Sequence, residues 1–270
     1  MSTLANARDV LRLLADQRRA LTVTEMAHSL GIPKSSTSRT LAMMANLGFL
    51  ERDPVTLAYR PGILIEESAT WQRHPDATIT EMQLSLAALV RTTGYTGYLN
   101  VLDGDMSLVI CMRTGRAGRL QVYTPEGTRG PAYGTSMGRA MLARLDDAVV
   151  ADLIGDNFGN ARGSAPRTTA ELLSCLATVR DRGVSFSRGE FVHNVAGISA
   201  AVCDQLSGRP IGIGIALPAD EVAGAEQHLG DAVLGAASRV GHLIGDPYWM
   251  DFTLATATTI QTEVGQLPTG

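Results

Sequence analysis

The 270-residue sequence has few cysteines, few aromatic residues and no long apolar run. Its three cysteines lie far apart, so the sequence predicts neither a disulfide framework nor a metal site, and reduced thiols are the simplest interpretation. The longest apolar stretch, residues 211–217, contains glycines and is far too short to span a bilayer. The first residues lack the pattern of a secretion signal. We therefore expect a cytoplasmic protein that does not contact a membrane.

Motifs of common enzyme classes are missing as well. The sequence has no H-E-x-x-H, no P-loop and no G-x-G-x-x-G in a strand-to-helix setting. His193 lies near Glu190 and Cys203, and a Cys/His pair can support nucleophilic chemistry. Cys203 follows an apolar strand, however, and is better interpreted as a small buried residue. We expect neither an enzyme nor a cofactor; an enzyme that uses the C-terminal domain is the alternative.

Charge is distributed unevenly along the chain. The formal net charge is −4, which argues against a general binder of polyanions. Residues 1–62 carry Lys34 and seven arginines against five acidic residues, a net charge of +3, so the remainder carries −7. Any contact with nucleic acid is therefore expected in the N-terminal part.

The first sixty residues have the pattern of three helices followed by a two-stranded hairpin. The predicted helices cover residues 5–17, 22–31 and 33–47, and the predicted strands cover 49–52 and 58–60. Thr22 and Glu25 have the spacing of a capping box, and Gly31 can end the second helix. Pro33 suits the first turn of the third helix. This order predicts a winged helix-turn-helix.

The third predicted helix has two distinct faces. The residues expected to face the core are Thr37, Leu41 and Met44, and those expected to face outward are Ser35, Arg39, Ala42 and Asn46. Hydroxyl and basic side chains near a helix N-terminus suit phosphate oxygens and base edges. Arg39 favours DNA binding because a purely structural helix does not require it. The alternatives are a helical bundle with a solvated face and a small-molecule sensor that acts through protein contacts.

Several motifs resemble those of the IclR family of transcriptional regulators. In the first part they are LTVTEMA at 21–27, LGIPKSS at 30–36, Arg39 and LGFLERD at 47–53. In the second part they are GTRGPAYGTSMGRAMLA at 127–143, RGV at 182–184, Glu190 and residues 198–218. The candidate DNA-binding residues are then Thr24, Lys34, Ser35, Ser36, Ser38, Arg39, Arg52 and Arg60.

The resemblance implies an α+β protein in which a linker helix joins a winged helix-turn-helix to a GAF-like α/β effector-binding domain. It also implies a homodimer joined through the N-terminal domains, often paired into a homotetramer, on a palindromic or repeated double-stranded DNA operator. The effector is expected to be a small carboxylic acid, and repression is the preferred mode. The expected domains are 1–61 for DNA binding, 62–75 for the linker helix, 76–250 for effector binding and 251–270 for a flexible tail.

Four residues depart from the family pattern. Thr37 and Thr40 stand where larger aliphatic residues are common, Tyr133 stands where histidine is usual, and Arg139 stands where lysine is usual. Thr37 can pack as a near-isostere of valine, so we expect the fold to survive.

The second part of the sequence has the pattern of a layered α+β domain. Asp103 and Gly104 give a strong hairpin signal between two of its strands. The predicted helices cover 62–73, 79–94, 136–145, 168–182 and 220–244, and the predicted strands cover 95–102, 106–112, 184–187, 198–203 and 211–217.

The effector pocket is expected around residues 134–138, where a helix begins and unpaired N–H groups favour an anion. In family members that bind very small acids, the pocket also uses an acidic residue, a cysteine and two serines. The matching positions here are Ser187, Gly197, Gly214 and Ala216. These changes predict a roomier, less polar pocket for a larger acid such as an aromatic one.

The alternative is that the glycines serve sheet packing and that neighbouring side chains fill the pocket. The candidate effector-binding residues are Tyr133, Ser136, Met137, Ser187, Val195, Gly197, Gly214 and Ala216.

Overall fold

The computed structural model describes residues 3–72, 77–117, 120–159 and 162–252. The chain forms two compact units, Met1–Asp76 and Ala77–Gly270, and the expected boundary between residues 75 and 76 falls next to this division. Most of the expected tail, residues 253–270, lies outside the described residues. Residues 247–252 are helical, and Phe252 packs against the core of the second unit, so the start of the tail at 251 needs correction.

The first unit contains the helix-turn-helix and a short hairpin. Its elements are α1 (Thr3–Gln17), α2 (Val23–Leu30), α3 (Lys34–Asn46), β1 (Leu50–Arg52), β2 (Tyr59–Pro61) and α4 (Ile63–Gln72). Thr22 caps α2 through the predicted box, and Gly31 ends it at a φ of 64°. Pro33 is the N-cap of α3 and does not lie inside its first turn. Strands β1 and β2 pair antiparallel and form the predicted wing.

One face of each of the first three helices forms the core of the first unit with the hairpin. Its buried residues are Val10, Leu14, Leu21, Met26, Leu41, Met44, Leu50 and Tyr59. Thr37 is only 2% exposed, and its hydroxyl donates to Pro33 O at 3.2 Å. The predicted inward face of α3 is confirmed, because Thr37 packs in the core with its hydroxyl satisfied.

The second unit is built around one six-stranded antiparallel sheet. Its helices are α5 (Ala77–Thr93), α6 (Ser136–Leu142), α7 (Asp147–Ile154), α8 (Thr169–Arg182) and α9 (Glu226–Ile244). Its strands are β3 (Thr96–Asp103), β4 (Met106–Arg113), β5 (Arg129–Pro131), β6 (Ser185–Arg188), β7 (Val195–Cys203) and β8 (Pro210–Pro218). The strand order is β5-β4-β3-β8-β7-β6.

The two faces of this sheet carry different helices. Helices α5 and α9 cover one face, where every second residue of β7 and β8 joins the largest core. Helix α6 packs on the other face, where Met137 and Met141 contact Tyr98 and Ala201. In β3, Leu99 faces the α5 and α9 side, whereas Tyr98 and Asn100 face the α6 side. The α6 side holds the cavity described below.

Several sequence expectations for this unit need correction. Helix α9 begins at Glu226 because residues 218–225 form tight turns, and α6 ends at Leu142 because the next residues make shorter i to i+3 bonds. Helix α7 and strand β5 were not predicted. β5 has only three residues and is defined by its pairing with β4. Among the described helices, none is long and apolar enough to cross a membrane.

Candidate functional sites

Thr22 and Glu25 fix the start of α2. Thr22 Oγ1 accepts a hydrogen bond from Glu25 N at 3.3 Å, and Glu25 Oε2 accepts one from Thr22 N at 2.8 Å. Hydrogen bonds from Thr22, supported by Arg19, lower the pKa of Glu25 from 4.5 to about 2. The carboxylate is therefore charged at neutral pH, where it complements the positive end of the helix dipole.

The outward face of α3 carries most of the predicted DNA-binding side chains. The exposed ones on α3 are Lys34, Ser35, Ser38 and Arg39, whereas Ser36 is half-buried; Thr24, which lies on α2, is also exposed. Arg39 Nε donates to Ser35 O at 3.4 Å, so this guanidinium lies along the surface of its own helix. Within the part of the chain that the structure describes, no ion pair neutralises Arg39. Hydroxyl and basic groups therefore share one accessible surface at the start of α3.

The wing carries the other two predicted residues. Arg52 and Arg60 are exposed; Arg60 Nη2 lies 2.9 Å from Glu51 Oε2, and the Arg52 guanidinium lies 5.7 Å from the centre of the Tyr59 ring. Leu21 and Tyr59 form a β-bridge that ties the hairpin to the segment before α2. The wing is thus attached to the same helices, and the charge of Arg60 is partly compensated.

A cavity of about 360 Å³ lies on the α6 side of the sheet in the second unit. Its wall includes β3, β4, β7, β8, the start of α6 and the segments around residues 122–130 and 187–192. Six of the eight predicted effector-binding residues line it: Ser136, Met137, Ser187, Val195, Gly197 and Ala216. Its volume is within the range of small-ligand sites, roughly 300–1,000 Å³.

Tyr133 and Gly214 do not line this cavity, which corrects two of the expectations. The Tyr133 ring packs 4.9 Å from the Phe158 ring in a separate apolar cluster with α7 and α8. A Cβ at Gly214 would lie 2.4 Å from both Ile198 O and Ser199 Oγ. Gly214 therefore serves the close packing of β7 and β8, as in the alternative interpretation.

Gly197 fits both the interpretation as a cavity residue and the interpretation as a packing residue. It lines the cavity, but a Cβ there would lie 2.4 Å from Ser136 Oγ and 3.0 Å from Ser187 Oγ. At Gly212, a Cβ would lie 2.5 Å from Met137 Sδ. These glycines bring α6 close to the sheet, so the expectation that missing side chains at 197 and 214 enlarge the pocket is wrong.

Several polar side chains of the cavity wall were not predicted, among them Tyr98, Asn100 and Ser107. Asn100 Nδ2 donates to Ser107 Oγ at 2.9 Å, and the Tyr98 hydroxyl donates to Val122 O at 2.7 Å. Burial raises the pKa of Tyr98, so its phenol is protonated at neutral pH. The sequence did contain a signal for this site, namely an asparagine within the apolar strand β3. A buried amide requires a polar partner, so Asn100 could have been identified as a cavity residue.

A buried ion pair lies beside the cavity. Arg139 Nη1 is 2.6 Å from Glu190 Oε2, and the two side chains are only 3% and 7% exposed. Arg139 also donates to Tyr133 O and Phe186 O, and Ser164 Oγ donates to Glu190 Oε1. Arg139, which replaces the usual lysine, thereby connects the start of α6 to β6 and to Glu190 in the cavity wall.

The described residues of the cavity wall do not form a recognisable catalytic constellation. Residues 134–138 match the G-x-S-x-G spacing of some hydrolases, but Ser136 Oγ pairs with Ser199 Oγ at 2.9 Å. No histidine is among the described residues of the cavity wall. Cys203 lies elsewhere, and burial raises the pKa of its thiol, which disfavours the thiolate.

A larger groove of about 740 Å³ runs between β6 and α9 at the edge of the sheet. Charged side chains of both signs line it, among them Arg182, Arg188, Glu226 and Asp231. Arg188 and Glu226 form an ion pair across it. Glu190 and Gly197 belong to both concavities, but the groove includes fewer of the predicted residues than the cavity does.

Comparisons with known proteins cover both units. Residues 3–54 match the model of the IclR helix-turn-helix domain, and residues 76–242 match the model described as Bacterial transcriptional regulator IclR C-terminal. The HTH-type transcriptional regulator Rv1719 of Mycobacterium tuberculosis is 27% identical over 240 residues, which are 89% of this chain and 91% of that protein. Transcriptional repressor IclR of Escherichia coli is 25% identical and covers 76% of each chain.

A solved structure has the same fold. It is that of an IclR homolog from Microbacterium hydrocarbonoxydans complexed with 4-hydroxybenzoate. It matches with a TM-score of 0.71 at 18% identity, over 89% of this chain and 98% of the other.

Proposed function

Since the chain belongs to the IclR family of bacterial transcriptional regulators, we propose that it is a repressor whose operator affinity is controlled by a small organic acid. The main support for control by an effector is the cavity of the second unit, which is lined by six of the predicted effector-binding residues. The relatives named above are transcriptional regulators, in agreement with the prediction against an enzyme. A regulator that binds the chromosome acts in the bacterial cytoplasm.

DNA recognition is assigned to α3 and the wing. Arg39 is proposed to contact base edges because it is exposed and has no acidic partner among the described residues. Lys34 and Ser35 lie at the start of α3 and suit phosphate oxygens. Arg60 is proposed as a weaker phosphate contact because Glu51 already pairs with it.

The effector is proposed to be an organic acid larger than a two-carbon one. Thr135 Oγ1 accepts a hydrogen bond from Gly138 N at 3.0 Å. The N–H groups of Ser136 and Met137, also in the first turn of α6, are therefore the ones that we assign to the carboxylate of the effector. The complex of the Microbacterium homolog with 4-hydroxybenzoate supports an aromatic acid. The cavity volume of about 360 Å³ also suits such a ligand.

The oligomer is proposed to be a dimer formed by the first unit, with further pairing into a tetramer. Leu47, Ile63 and Leu64 are apolar and exposed in this unit, and Leu64 lies against Gly48, next to Leu47. Exposed apolar side chains that lie together indicate an interaction surface. A two-fold dimer would present two copies of α3 to a palindromic operator.

The test uses labelled DNA from the region upstream of the protein's own gene. Fluorescence anisotropy should detect complex formation, and 4-hydroxybenzoate should change the operator affinity by at least about fivefold. Glyoxylate should have no comparable effect. Ala216→Leu, which fills the cavity, should abolish the response to acid and leave DNA binding intact. A response to glyoxylate alone would contradict the proposed effector class.

A further inference from the structure

We propose that the effector carries a hydrogen-bond donor, a hydroxyl or amino group, which Asn100 recognises through Oδ1. This assignment rests on the proposed function, because it takes the cavity as the effector site. It adds a second chemical requirement to the acid group, and it names the residue that enforces this requirement.

The first observation is the state of the Asn100 amide. Asn100 lines the cavity and is only 6% exposed. Its Nδ2 donates to Ser107 Oγ at 2.9 Å, which orients the amide, whereas Oδ1 has no hydrogen-bond partner within the described residues. Buried side-chain oxygens are nearly always paired, because an unpaired acceptor loses its hydration without compensation. A donor on the ligand would satisfy this oxygen.

The second observation is Glu190, in the same cavity wall. Glu190 is 7% exposed, and its Oε2 also lacks a hydrogen-bond partner within the described residues, although Arg139 Nη1 lies 2.6 Å away and balances its charge. A carboxylate oxygen accepts more than one hydrogen bond, so Glu190 Oε2 can take a donor from the ligand in addition to its ion pair with Arg139.

Among the described residues, no hydroxyl group donates to Asn100 Oδ1. The Tyr98 hydroxyl donates to Val122 O, and the hydroxyls of Ser136 and Ser199 pair with each other at 2.9 Å. A site built to bond a hydroxyl discriminates strongly against an analogue without it, because the protein acceptor is then left unpaired. Asn100 is thus inferred to set the specificity of the cavity.

The test measures binding of matched acids to the full chain by isothermal titration calorimetry. The acids are benzoate, 4-hydroxybenzoate, 3-hydroxybenzoate and 4-methoxybenzoate, with butyrate and 4-hydroxybutyrate as an aliphatic pair. We expect the best hydroxy acid to bind at least about tenfold more tightly than its unsubstituted partner. The methoxy acid, which accepts but does not donate, should bind no better than benzoate.

Variants then locate the effect. Asn100→Val should remove the preference for the hydroxy acid, whereas Asn157→Val, the same change at an exposed asparagine outside the cavity, should retain it. If Asn100→Val does not fold, the ligand series on the unaltered chain still decides. Equal binding of hydroxylated and unsubstituted acids, or a preference for the methoxy acid, overturns this proposal and leaves the proposed function standing. No binding of any acid overturns both.

Discussion

At the scale of single residues, glycine has a different role from the one its position suggested. Gly197 and Gly214 match family positions that carry polar side chains, and their small size predicted extra space for a ligand. In the structure, the space that a Cβ would occupy is filled by Ser136 Oγ in one case and by Ser199 Oγ in the other. The interior is densely packed, so a missing side chain does not by itself create a cavity.

Gly197→Ala tests this packing directly. A methyl group 2.4 Å from Ser136 Oγ must push this hydroxyl away and disturb its hydrogen bond with Ser199, so we expect a loss of about 1–3 kcal/mol in the free energy of unfolding, measured with urea. Effector binding should weaken at the same time. Gly235→Ala is the matched control: it lies in α9 with nothing near its Cβ position, so it should stabilise the chain by roughly 0.5–1 kcal/mol. Equal stability of Gly197→Ala and the parent chain would contradict this interpretation.

At the scale of elements, local signals predicted the helix boundaries where a cap was present. The Thr22 box, the Gly31 C-cap and the Thr168 cap of α8 are all formed. Helix α7 was missed although the sequence carries Asp146 at its N-cap and Gly155 at its C-cap; Asp146 makes no side-chain hydrogen bond there. Strand β5 was missed because three residues carry no periodic pattern and pair only through the fold.

The Glu25 cap predicts a specific pH dependence. The pKa of Glu25 is lowered from 4.5 to about 2 in the folded state, so its stabilisation is complete above about pH 4.5 and is lost as the pH falls towards 2. Glu25→Gln should therefore lower the thermal midpoint at pH 7, and this difference should shrink by pH 3. The control is Glu51→Gln, which neutralises an exposed carboxylate of the wing. A difference that is the same at both pH values would argue against the charged cap.

At the scale of the whole molecule, the order of motifs predicted the family and the α+β fold of both parts. The sequence did not predict which side chains meet in the cavity. Asn100 and Glu190 are 90 residues apart and line the same cavity only because the sheet brings β3 and the segment after β6 together. Tyr133 was misplaced for a related reason: its position before α6 does not determine which side of the helix its ring packs against.

The proposed dimer surface gives a prediction at this scale. Leu47→Glu combined with Ile63→Glu places charges on the exposed apolar residues of the first unit. We expect the dimer to dissociate at a concentration at least about tenfold higher than for the parent chain, measured by analytical ultracentrifugation, because buried charges oppose association. Leu206→Glu, a change at a more exposed leucine in the second unit, should leave the dissociation constant of the dimer unchanged. An unaltered dimer in the double variant would refute this surface.

The central claim, that α3 recognises an operator through Arg39, is tested most directly by recovering genomic DNA fragments bound to the purified protein. The unaltered chain should enrich a short palindromic or repeated sequence, with a site near its own gene. Arg39→Ala should lose this enrichment, with operator affinity reduced by about 1–3 kcal/mol. Arg8→Ala, which removes the same charge from α1, should retain it. No enriched sequence, or the same enrichment with Arg39→Ala, would contradict the account.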